Sequence, residues 1–138
     1  CASHLSRMAE EMVVTFPGNL KVSARIGDLD IATDQPEKSG GDNSAPSPFT
    51  LFTASLATCA GYFALKFCRS RNLDTAGMVL TMKYGWDKEQ KKYPQMDIEL
   101  KLPKGFPEKY KDAIVRAMDQ CVVKKHILDP PEIQVSVT

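Results

Sequence analysis

With 138 residues, 43% of them hydrophobic and 25% charged, and a net charge of +1, the chain has room for one domain that buries roughly two thirds of the surface an unfolded chain exposes. The near-neutral balance lacks the basic excess that phosphate contacts demand, so no nucleic-acid partner is expected. Four cysteines, irregularly spaced, do not make the framework of a disulfide-stapled secreted domain, and a reducing cytoplasm fits them better.

The opening residues, Cys1-Ala2-Ser3-His4-Leu5-Ser6-Arg7, read as a vector remnant ahead of a native start at Met8. Cys1 and His4 are therefore set aside, and residues 8–138 are expected to form a single domain with no export segment. Residues 12–16 are a short β-rich run stopped by Pro17-Gly18-Asn19, after which Leu20, Val22, Ala24 and Ile26 alternate with polar positions. Gly27-Asp28 has glycine at the first central position of a two-residue type II′ turn, and Leu29 and Ile31 resume the alternation. Three antiparallel strands are predicted. Residues 34–47, dense in Pro, Gly, Ser and Asp without apolar periodicity, read as a long surface loop, a kind of segment that is often functional.

Ser47 followed by Pro48 supplies a helix N-cap and a first-turn proline. The helix they open carries no charge from Pro48 to Leu65 and runs to about Arg71. Its length would allow it to cross a bilayer, but Thr50, Thr53, Ser55 and Thr58 favour a helix buried on all sides by its own protein, and no membrane partner is expected. A second hairpin follows, with Met78, Leu80, Met82, Tyr84 and Trp86 on one face of a strand and Met96, Ile98, Leu100 and Leu102 on one face of its partner. Pro103-Lys104-Gly105-Phe106 is a turn. Pro107 opens a helix on which Tyr110, Ile114, Ala117, Met118, Cys121 and Val122 recur at helical spacing, and Asp129-Pro130-Pro131 ends it. Ile133, Val135 and Val137 alternate as a final strand. The order βββ-α-ββ-α-β is an α+β arrangement around a very apolar central helix.

Cys59 and Cys68 lie on the same helix about 900° apart in rotation and about 13 Å apart in rise. They face opposite ways, and a disulfide between Cα atoms further apart than about 7 Å cannot form. Cys121 falls on the apolar stripe of the second helix, which leaves Cys59 and Cys121 as the native redox pair. The plainer reading is core packing, since unpaired cysteine is among the most often buried residues, and Cys68 keeps that reading. Cys59 sits well past the first turn of its helix, so the N-terminus of that helix does not lower its pKa and a separate cation is required.

The run Ser47-Pro48-Phe49-Thr50-Leu51-Phe52-Thr53-Ala54-Ser55-Leu56-Ala57-Thr58-Cys59 resembles the central-helix signature of the OsmC and Ohr proteins, in which a proline begins the helix and the peroxide-reacting cysteine closes a run of small residues. Cys121-Val122-Val123-Lys124-Lys125-His126 resembles the stretch that carries the second cysteine of that family. The resemblance implies an OsmC-like fold and an intertwined homodimer whose sites draw on both chains. It also implies reduction of a small organic hydroperoxide through sulfenic acid and an intramolecular disulfide, with recycling by a dithiol of lipoyl type and no cofactor. Two positions depart from the family pattern. Phe49 stands where peroxidatic members have glutamate, and the thiolate-stabilising arginine from the N-terminal strands is matched only by Arg25 or Lys21, of which Arg25 is preferred over its other reading as a solvated strand residue.

The remaining signals are weaker. His126, a single histidine near Cys121, does not make a zinc site and suits charge complementarity at a helix C-terminus. Gly40-Gly41 lacks the context of a nucleotide loop. Trp86, Met78, Met82 and Met96 are read first as packing residues and second as the lining of a ligand pocket. Against the thiol peroxidase stand two alternatives. One is a binding module of the same fold that holds a small lipophilic molecule, and the other is a redox sensor that uses the cysteine pair as a switch.

Overall fold

The computed structural model describes residues 10–138. The expected remnant at residues 1–7 and the start at Met8 lie outside the described residues. The chain divides into two compact units, one ending at Phe52 and the other beginning at Thr53.

The first unit holds an antiparallel sheet in the order β1 (Val13–Gly18), β2 (Lys21–Ile26), β3 (Leu29–Thr33). Ile26 pairs with Leu29, so Gly27-Asp28 is the whole connection, and Gly27 takes the left-handed φ of 57° that the first position of a type II′ turn requires. Pro17 does not stop β1 as expected. The ladder between β1 and β2 shifts register between Thr15 and Gly18, and a bulge on an edge strand tolerates a residue with no N–H to donate.

Residues 34–47 form an ordered closed loop with a 3-10 turn at Glu37–Ser39. Asp34 is fully buried. Its carboxylate accepts hydrogen bonds from the Ser44 hydroxyl at 2.6 Å, the Ser44 amide at 3.0 Å and the Gln35 amide at 2.7 Å. Those bonds, the Ser44 hydroxyl first, hold the carboxyl well below the usual aspartate range. Gly41 is buried here, and a Cβ on it would run into the backbone of Gln35. Any other residue would force the loop open.

The central helix α1 spans Pro48–Ser70. Ser47 caps it, its hydroxyl accepting the Thr50 amide at 3.3 Å, and Asn72 leaves it with a left-handed φ of 53°, as its short polar side chain allows. By length and apolarity α1 could cross a bilayer, a test that the core helices of water-soluble proteins also pass. It is not buried on all sides within this chain. Thr53, Leu56, Ala60, Ala64, Phe67 and Cys68 are buried, a stripe at spacings of three and four, while Tyr62 and Leu65 stay exposed.

In the second unit, β4 (Val79–Tyr84) pairs antiparallel with β5 (Met96–Lys101). The core gathers where Ala64, Phe67 and Cys68 of α1 meet Ile114, with Met78, Leu100 and Phe106 packed around them. The predicted second helix is two helices, α2 (Lys111–Met118) after a 3-10 turn at Glu108–Tyr110, and α3 (Val122–Leu128). The final strand is also not formed. Residues 129–138 have no regular structure, and Ile133, Val135 and Val137 are 80%, 89% and 95% exposed. Alternation marks a segment with one face to bury and a ladder to complete, and within the described chain residues 133–137 pair with no strand. The architecture is α+β, in the order βββ-α-ββ-α-α.

Candidate functional site

The site is built from the buried stripe of α1 and the break between α2 and α3. Cys59 lies between Leu56 and Ala60 on α1 and is half-buried, whereas Cys121 is buried. Cys121 is not on the continuous helical stripe the sequence suggests. It is the N-cap of α3, with a non-helical backbone and with its sulfur accepting the Lys124 amide at 3.4 Å. Asp119 also belongs to the break, and its carboxylate receives the Lys124 ammonium at 2.9 Å. The turn carrying Cys121 is thus held from both sides.

From this position Cys121 and the amides of Val123 and Val122 each favour the charged form of Cys59. The first amides of a helix have no partner inside it. Here the Cys121 sulfur takes the Lys124 amide.

Burial pushes the Cys59 thiol up, but the Cys121 thiol and the two amides outweigh it, leaving Cys59 below the usual cysteine range. Cys121 moves the other way. Burial raises it, the Lys124 amide offsets part of that, and the hydrogen bond to Cys59 and the charge there raise it further. Of the two, Cys59 is therefore the more acidic thiol. Sequence reasoning held that a cation must supply the shift. The groups that lower Cys59 in this chain are neutral: Cys121 and two amides at the start of a helix other than the one Cys59 occupies. The weak helix formers Asp119 and Cys121 are the available signal for that break.

Arg25 sits on β2 in the other unit. Its guanidinium is bonded to both carboxylate oxygens of Asp30 at 3.1 Å, with Asp28 at 4.0 Å, and its side chain is half exposed. Lys21 pairs with Asp42. Phe49 packs its ring on Phe52 in the first turn of α1, with centroids 5.5 Å apart. Cys68 lies in the core, where burial raises its thiol, partly opposed by Arg71. The His126 ring nitrogen Nδ1 donates to the Val122 carbonyl at 2.8 Å, in the last turn of α3.

Beside Cys121 opens a cavity of about 570 Å³, floored by Leu56, Ala60, Met82, Met96 and Ile98. Asp119 and Lys124 are its charged residues, and Ile127 and Leu128 of α3 form part of its wall. Two of the four residues first read as packing line it, while Met78 packs against the core and Trp86 stacks on Tyr93. Among the described residues no three metal-ligating side chains come together.

Residues 41–136 match the family model of the OsmC-like protein. No curated protein sequence matches the chain. Solved structures do. A candidate osmotic stress induced and detoxification response protein from Psychrobacter arcticus 273-4 is 24% identical, with a TM-score of 0.70 over 83% of this chain and 85% of that one. An OsmC-like protein from Mycoplasma pneumoniae is 10% identical, with a TM-score of 0.69 over 88% and 89%. An organic hydroperoxide resistance protein from Elizabethkingia anophelis, with thiocyanate bound, is 22% identical, with a TM-score of 0.57 over 86% and 87%. At these identities the likenesses establish the fold, and with the family model they carry one conclusion: this chain belongs to the OsmC-like protein family.

Proposed function

We propose that this protein reduces small organic hydroperoxides with the Cys59–Cys121 pair, in defence against oxidative stress. The observation that carries the reading is Cys121 fixed as the cap of α3 and acting on half-buried Cys59, which is the more acidic of the two thiols. Several solved proteins of this fold are named for organic hydroperoxide resistance.

In the proposed reaction the Cys59 thiolate attacks the distal peroxide oxygen. The O–O bond breaks, and the alkoxide takes a proton to leave as the alcohol. Cys121 then attacks the sulfur of the Cys59 sulfenic acid, the S–O bond breaks, and water leaves as the disulfide forms. An external dithiol, of lipoyl type by family resemblance, returns both thiols by exchange. The apolar cavity beside Cys121 suits the organic part of the peroxide. Arg25 is the proposed cation for the thiolate, and to serve it the guanidinium must exchange Asp30 for Cys59.

The reading includes a homodimer in the cytoplasm. The exposed Tyr62 and Leu65 on α1 and the unpaired apolar positions at 133, 135 and 137 support it, because a domain of this size does not ordinarily leave such surface to water. Sedimentation at micromolar concentration is expected to give a dimer, and a monomer would remove that part of the proposal.

Steady-state reduction of an alkyl hydroperoxide with a dithiol tests the chemistry. Turnover is expected in the native protein and its loss in Cys59→Ser. Equal slow rates in both would favour the second reading, a binding module for a small lipophilic molecule, which the cavity also supports.

A further inference from the structure

We infer that Cys121 is the cap that holds α3 folded, so that forming its disulfide with Cys59 loosens α3 and opens the wall of the adjacent cavity. The inference deepens the two-cysteine reading and rests on it for its place in a catalytic cycle, but it concerns a conformational step that the reading does not contain.

Three features carry it. First, α3 is seven residues long and has no buried residue, whereas isolated helices shorter than about 12–15 residues are marginal in water. Its persistence depends on what holds its ends. Second, what holds its start is sulfur, since Cys121 is its N-cap and takes the Lys124 amide. Third, α3 is part of the cavity wall through Lys124, Ile127 and Leu128, and Leu128 is 75% exposed.

Oxidation changes the cap chemically. Two thiols lose two electrons and two protons, an S–S bond forms, and the hydroperoxide that takes the electrons becomes alcohol and water. The Cys121 side chain turns toward Cys59 instead of the Lys124 amide. What remains at that end is the Lys124–Asp119 pair, which is largely solvated and worth little by itself. Fraying of α3 then releases one wall of the cavity, giving the alcohol a way out and the reducing dithiol a way to the S–S bond.

Backbone amide exchange in the full-length protein reads this directly. The reporters are Lys124, Lys125 and Asp129, whose amides donate to Cys121 Sγ, the Cys121 carbonyl and the Lys125 carbonyl. Diamide, an azo oxidant that takes two electrons and two protons from a thiol pair, makes the disulfide whether or not the protein turns over peroxide. In the oxidised protein the three amides are expected to exchange about fivefold or more faster than in the reduced protein, the change in opening equilibrium that follows loss of a helix cap. Amides of Ala64 and Cys68 in the core should not change.

Two variants separate the cap from the disulfide. Cys121→Ser keeps an oxygen acceptor at the cap and forms no disulfide with Cys59, so its α3 amides should stay slow under diamide. Cys121→Ala lacks both, and its α3 amides should be fast even when reduced. Unchanged exchange on oxidation, with the Cys59–Cys121 bond verified by peptide mass, would overturn the inference and leave the peroxidase reading standing. Faster exchange under diamide without any disulfide formed by hydroperoxide would do the reverse. Equal exchange in Cys121→Ala and Cys121→Ser would also overturn it.

Discussion

The sulfur of Cys121 accepts the Lys124 amide at 3.4 Å and its thiol lowers the pKa of Cys59, so one side chain is at once the cap of a short helix and the partner of the more acidic thiol. Two consequences follow from that double role. The position of Cys121 depends on local backbone geometry, and the acidity of Cys59 depends on Cys121.

The Cys59 pH profile should therefore respond to its neighbour. Alkylation of Cys59 in the native protein is expected to have a midpoint below the free-cysteine value of about 8.5. Cys121→Ala removes the largest of the influences that lower Cys59, so the midpoint should rise and the rate at neutral pH should fall severalfold, each pKa unit being worth about tenfold in thiolate. A native midpoint at or above the free value would remove the nucleophile from the proposed mechanism.

Arg25 is tested by Arg25→Met, which keeps a long apolar stem and deletes the charge. If Arg25 serves the thiolate, the variant alkylates more slowly at neutral pH, while the part of the shift due to Cys121, Val123 and Val122 remains. An unchanged profile would assign Arg25 to its Asp30 pair alone.

Cys68 should be inert. It is fully buried in the core beside Ile114, and its thiol lies above the usual range because burial outweighs the opposing Arg71 charge. Treatment with one equivalent of hydroperoxide is expected to leave Cys68 reduced, and peptide mapping that linked it to Cys59 would contradict the helical placement of both.

Removing volume beside Cys68 should be costly. Ile114 is 1% exposed and contacts Ala64, Phe67 and Cys68 across the α1–α2 contact, so Ile114→Ala is expected to lower unfolding stability by about 2–5 kcal/mol. Denaturant titration checks it, and a loss near zero would mean the helices do not pack as described.

Asp34 makes the loop after β3 pH-dependent. Its folded pKa lies below the unfolded value of about 3.9. The sign is that of a depressed acid: the stabilisation is complete above the unfolded pKa and is lost as pH falls toward the folded one. Unfolding stability should fall between neutral pH and pH near 3, and Asp34→Asn should lower stability at neutral pH and flatten that dependence. An identical acid dependence in the variant would place the loss elsewhere.

Local pattern alone was enough for the elements whose cause is local. The Gly27-Asp28 turn, the Ser47 cap with Pro48, the alternation of β4 and β5, and the half-turn offset that separates Cys59 from Cys68 follow from φ preferences and from periods of 2 and 3.6 residues. The OsmC-like signature from Ser47 to Cys59 was legible for the same reason. Tertiary structure decided the rest, because its causes lie far apart in the chain. Periodicity carried one helix through Cys121, whereas packing stops α2 at Met118 and turns Cys121 into a cap facing Cys59. The same distance in sequence hid the donors that acidify Cys59, which are amides 63 and 64 positions further on and carry no side-chain signature. Residues 133–137 show the opposite case, an alternation written in the sequence that stays unpaired, because a strand exists only when another backbone completes its ladder.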